Sequence, residues 1–179
     1  MLDAEGTHLS YSWKHGPLFW AYSILMFLPI VMVFAFYNYY SIDLLAYVGW
    51  ILLMFSVVII FMAGGEFRRK GGASKGESIV HTKVIVDSGV YAVGRHPQYL
   101  GFILFVLALI LMSQHWLSVL SGVVGSALFY RDVLREEQMS IRKFGDDYKR
   151  YMEKVPRMNI IVGIIRLLRL GKRNEQMRK

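Results

Sequence analysis

The residues best suited to chemistry lie in two stretches, Gly89 to Gly101 (GVYAVGRHPQYLG) and the acidic pair Glu136-Glu137. Pro97 is followed by an almost uninterrupted apolar run to Met112. A proline in the first turn of a helix loses no hydrogen bond, and its fixed φ suits helix entry, so the spacing predicts a helix that starts at Pro97. The free N–H groups of such a helix start, together with its dipole, favour an anionic group. Arg95 adds a permanent cation and His96 a titratable ring. Tyr91 lies one helical turn before Arg95, and Gly101 leaves room beside Tyr99 for a close approach. Taken alone, an arginine beside a membrane helix does no more than set topology, and tyrosines at that depth are ordinary interfacial anchors.

Adjacent glutamates point in different directions on a helix, so Glu136 and Glu137 do not form a dyad sharing one proton. One can pair with Arg95 while the other faces a ligand; a solvated helix using Arg135 and Arg142 as partners is the plain alternative. Without cysteine there is no disulfide framework, thiolate metal site or thiol nucleophile. No cluster of residues with metal-ligand spacing stands out, and no metal is expected. The glycine-rich EFRRKGGASKG, Glu66 to Gly76, lacks the spacing of a phosphate-binding loop and reads as a basic connector.

These elements sit on a chain too apolar for an ordinary soluble domain, with 179 residues of which 55% are hydrophobic. Four apolar segments are expected, at about 17–38, 44–63, 98–112 and 116–130, paired into two helical hairpins. The last two are short for a hydrocarbon core of about 30 Å. Pro29 falls inside the first, and Gly122, Gly125 and Ser126 give the fourth a small face for close packing. Beyond Arg131 the pattern turns charged and helical, with Gly145 as a break before Asp146-Asp147, and Asn159 to Lys172 reads as an interfacial helix. The fold class expected is therefore all-α: a single integral membrane domain over residues 1–179 with cytoplasmic C-terminal helices.

The net charge of +8 does not point to nucleic acid, because of where it lies. Lys14 is the sole Lys or Arg before Arg68; six fall between Arg68 and Arg95, and fourteen from Arg131 onward. Neither Tyr39 to Asp43 nor Ser113 to His115 contains one. Basic clusters flanking apolar runs on one side predict both termini in the cytoplasm, against an anionic lipid surface. Residues 1–16 are polar and expected at the interface, with no secretory leader, which leans toward a prokaryotic inner membrane.

GVYAVGRHPQYLG followed by REEQMSIRKFGDDYKRY resembles the isoprenylcysteine carboxyl methyltransferase and phospholipid methyltransferase family of integral membrane enzymes. The resemblance covers residues 84 to 157 and rests on Gly89, Tyr91, Arg95, His96, Pro97, Tyr99, Gly101, Glu136, Glu137, Phe144, Gly145, Tyr148 and Tyr151. It implies S-adenosyl-L-methionine as cofactor and methyl transfer to a lipid-like acceptor. Within it, Tyr91, Arg95, His96, Tyr99, Gly101, Glu136 and Glu137 are expected around the cofactor, in a region of about 81–101 and 131–157; His81 has a place to line it, a solvated loop histidine being the plain alternative. Arg131 is expected to orient an anionic group of the acceptor. A prenylcysteine carboxylate and a phospholipid phosphate would both suit an arginine there. Carboxyl O-methylation is the leading expectation and phospholipid N-methylation the alternative. A sterol-reductase-like nicotinamide enzyme and a non-enzymatic membrane scaffold are the readings from other classes.

Overall fold

The structure, a computed structural model, describes residues 17–71 and 84–176. The expectations for residues 1–16 and for His81 fall outside these. The described residues form seven helices: α1 (Pro17–Ala35), α2 (Asp43–Lys70), α3 (Val90–Val93), α4 (Pro97–Ser113), α5 (Trp116–Phe144), α6 (Asp146–Lys154) and α7 (Ile160–Gln176). Two, α2 and α5, are long and apolar enough to cross a membrane, and α1 and α4 are shorter apolar helices. The chain is a membrane helical bundle.

Small residues set how the bundle packs. The buried positions of α2 are Ala46, Gly49, Ser56, Ile59 and Ala63, while the bulky Ile51, Met54, Phe55, Val58 and Phe61 are exposed around them. In lipid an exposed apolar side chain costs nothing, so helices associate through close backbone approach at small residues. A Cβ on Gly49 would fall 2.6 Å from Met112 and 3.0 Å from the Ala108 carbonyl of α4. On α5, Gly122 presses on Val106 and Ile110, and Gly125 on Leu25 and Met26 of α1, as their size predicts.

Two expectations are corrected. The basic connector begins later than read: α2 continues through Gly64-Gly65 to Lys70, and its last turn is stitched by Glu66 to Arg69 and Lys70. The first two apolar helices are not a packed hairpin among the described residues; α2 packs on α4, and α1 on α5 and α4, because the small face of α2 is matched by α4. As the charged helical pattern beyond Arg131 predicts, α5 continues past its apolar part. Its 29 residues reach about 43 Å, carrying Arg131 to Phe144 on one rigid rod out of the hydrocarbon. Gly145, at φ +58°, ends the rod, and Asp146 and Asp147 open α6.

At the end away from the basic loops, the Gln114 amide locks the bundle by donating to Asn38 Oδ1 at 2.7 Å and to the Ile42 carbonyl at 2.9 Å while accepting from the Ile42 N–H at 3.2 Å. This satisfies backbone groups between α1 and α2 that lipid could not.

Candidate active site

Pro97 does stand at the first position of α4, with His96 as the preceding cap. Arg95 and His96 are held at the backbone before their side chains act: their N–H groups donate to the carbonyls of Pro156 and Arg157, each at 3.0 Å. The segment after α6 is thereby tied to the mouth of α4.

The side chains converge on Glu137, which is 2% exposed. Arg95 Nη2 donates to Glu137 Oε1 at 2.7 Å, and Nη1 to the Met152 carbonyl at 2.7 Å. From the other side Arg157 donates to Oε2 through Nη2 at 2.7 Å and Nε at 3.0 Å. Its Nη1 donates to the Tyr130 hydroxyl at 2.7 Å. His96 Nε2 lies 3.3 Å from Glu137 Oε1 without aligned hydrogen-bond geometry, and it is buried, like Arg95 Nε, with no hydrogen-bond partner among the described residues. Two guanidinium groups thus share one carboxylate, leaving an excess positive charge beside the free N–H groups of the α4 start. Such a donor set fits an anion, a carboxylate in particular.

Of the other predicted residues, Tyr99 is nearest. Its ring meets the His96 ring edge-on at 5.7 Å and lies 4.7 Å from Phe129 of α5. Glu136 is half-buried and acts electrostatically on the Tyr91 and Tyr148 hydroxyls. Tyr91 is buried against Ala63 and Val86, its carbonyl accepting from the Tyr151 hydroxyl at 2.7 Å, so it joins α3 to α2 and α6. Burial pushes the Tyr91 and Tyr151 phenols up and that of Tyr148 to about 12.

Gly101 receives a different reason for being glycine. A Cβ there would fall 2.6 Å from Ile60 and 3.3 Å from the Ser56 carbonyl, so it serves the contact of α4 with α2 rather than opening space for a ligand. Arg131 is exposed, on a different face of α5 from Glu137. Sequence reasoning missed Arg157 and Tyr130, the second clamp on Glu137. Arg157 directly follows Pro156, and an isolated arginine in a loop carries no periodicity to mark it.

Beside this cluster runs an apolar cleft of about 200 Å³ lined by residues that include Phe55, Ile59, Pro97, Leu100, Met158 and Ile164. The cationic cluster and an oily cleft thus share the start of α4.

A family model described as a protein of unknown function, DUF1295, matches residues 15–155. The chain belongs to this family. It is also similar to proteins named protein-S-isoprenylcysteine O-methyltransferase. The one from Schizosaccharomyces pombe is 29% identical over 106 residues, 54% of this chain and 45% of that protein. The Xenopus laevis protein is 31% identical over 117 residues, 63% of this chain and 39% of its own; the Homo sapiens protein is 33% identical over 98 residues, 54% and 33%. The matched part is under half the length of each of these relatives. No solved structure matches.

Proposed function

We propose that the chain is an S-adenosyl-L-methionine-dependent methyltransferase acting at the membrane on a lipophilic acceptor, with a prenylcysteine-type carboxylate as the favoured methyl acceptor. The observation that carries this reading is the buried Arg95–Glu137–Arg157 cluster with His96 at the start of α4, cationic on balance and adjoining an apolar cleft. The names of the similar proteins point the same way.

When bound, the cofactor supplies an electrophilic methyl group on a sulfonium. Arg95, His96 and the first N–H groups of α4 would hold its carboxylate, with Glu137 fixing the two guanidinium groups so that they arrive already oriented. The Tyr99 ring closes the side of the site toward α5. Exposed Arg131 is suited to grip the acceptor's anionic group where α5 leaves the hydrocarbon. A carboxylate acceptor carries no proton to remove, so alignment and exclusion of water are the main demands on the protein.

Equilibrium binding of labelled S-adenosyl-L-methionine to the detergent-purified protein is the first test, followed by methyl transfer to farnesylcysteine analogues and to phosphatidylethanolamine. Binding with transfer to the prenylcysteine is expected. Transfer only to the phospholipid amine would move the acceptor to the N-methylation alternative, and absence of cofactor binding would end the methyltransferase reading.

A further inference from the structure

Asp132 follows Arg131 on α5 but is turned inward, and it is 3% exposed. Its Oδ2 is buried with no hydrogen-bond partner among the described residues. Its Oδ1 has a loose ion pair, with Nη1 of the half-exposed Arg135 at 3.8 Å. A buried carboxylate with one oxygen left unpartnered is costly and is suited to receive a cation.

The groups around it narrow the kind of cation. The Tyr22 hydroxyl of α1 donates to the Asp132 carboxylate, and the Tyr22 ring lies 6.2 Å from that of Phe129, about one helical turn before Asp132. Phe129 in turn is 4.7 Å from Tyr99, whose ring meets His96. A row of aromatic rings therefore leads from the positive pole at Arg95 and Arg157 to a negative pole at Asp132. Aromatic rings beside a carboxylate favour an onium group over a compact, strongly hydrated metal ion. A ligand with a carboxylate at one end and an onium charge further along complements both poles.

We propose that Asp132, with the rings of Tyr22, Phe129 and Tyr99, forms the subsite for the sulfonium of the methyl donor. This rests on the reading of the chain as an S-adenosyl-L-methionine enzyme. Asp132 then discriminates the charged donor from its neutral thioether product, which aids product release.

The test compares equilibrium binding of S-adenosyl-L-methionine and S-adenosylhomocysteine, identical but for the methyl group and its charge, to wild type and Asp132→Asn. The variant is expected to lose about tenfold in affinity for the sulfonium while its affinity for the thioether stays within about twofold. Parallel losses for both ligands, or no loss for either, would overturn the subsite. Wild type that binds neither removes the methyltransferase reading and the subsite with it. If Asp132→Asn does not fold, Phe129→Leu takes its place. It is expected to lower the ratio of sulfonium to thioether affinity severalfold, and an unchanged ratio refutes the assignment.

Discussion

At the scale of single residues, the site is held by one carboxylate shared between two arginines, and that sharing fixes which substitution does most harm. Removing one partner of a buried pair leaves an uncompensated charge and costs about 3–5 kcal/mol. Glu137→Ala strands both Arg95 and Arg157, whereas Arg157→Ala leaves the Arg95 pair intact. Thermal melting in detergent should therefore show Glu137→Ala markedly less stable than Arg157→Ala; equal losses would mean that the pairs do not share their energy as the geometry implies. The buried phenols of Tyr91, Tyr148 and Tyr151 give a second expectation. Their folded pKa values are raised above the ordinary value of about 10, so between the two values the unfolded chain has released protons that the folded chain retains. The stability these groups confer is complete below about pH 10 and falls as pH rises through the folded values. Tyr148→Phe should make the alkaline loss shallower in a melting series from pH 8 to 12, and an unchanged slope would refute the assignment. Arg95, His96 and Glu137 could be singled out in sequence because they stand in GVYAVGRHPQYLG and REEQ, stretches that resemble a known family's motifs. Asp132 was not: within RDVLREEQ it reads as one more solvated charge, and only packing against α1 buries it.

At the scale of elements, helix contacts are decided where side chains are missing. Gly163 of α7 approaches α3 so closely that a Cβ would collide with the Val93 carbonyl. Arg166 also donates from α7 to the Ala92 carbonyl at 2.6 Å and to that of Lys154. Gly163→Val should separate α7 from α3, whereas Gly171→Ala, with nothing within 4 Å, should be neutral or stabilising by about 0.4–1 kcal/mol. Limited proteolysis of the C-terminal helix reads the difference, and equal protection of α7 in both variants would disprove a contact that depends on Gly163. Gly101→Val should cost about 1–3 kcal/mol through crowding against Ile60 and the Ser56 carbonyl. The four apolar helices were legible from run length. Their partners were not, because in α2 both the lipid face and much of the bundle face are apolar and the contact is written in small residues. The apolar pattern of α2 stops at Gly64-Gly65, yet both glycines lie in open space and the helix passes through them to Lys70.

At the scale of the whole molecule, the two ends of the bundle are built from different chemistry. One gathers the Arg95–Glu137–Arg157 cluster, α6 and the basic α7; the other closes with the uncharged amides of Asn38 and Gln114 and with His115 stacked on Phe36 at 4.5 Å. Arginine and lysine accumulate on the side that is not translocated, so we propose that the clustered end faces the cytoplasm and the amide lock the opposite side. The charge count along the sequence leads to the same expectation. How the amide end is sealed without lysine or arginine is not visible in sequence, since it depends on the left-handed turn at Gln114, φ +56°, which brings its amide to Ile42. The polarity is testable without removing background reactivity, because the chain contains no cysteine. Ser113 is unsuitable as a reporter despite its place in the connection, being fully buried. Tyr40 is 60% exposed at the amide end, and Asp146 is exposed at the start of α6. In intact cells a membrane-impermeant thiol reagent should label Tyr40→Cys and leave Asp146→Cys unmodified until the membrane is opened. Labelling of Asp146→Cys in sealed cells, with Tyr40→Cys protected, would invert the molecule and put the proposed site on the wrong side of the membrane for a cytoplasmic methyl donor.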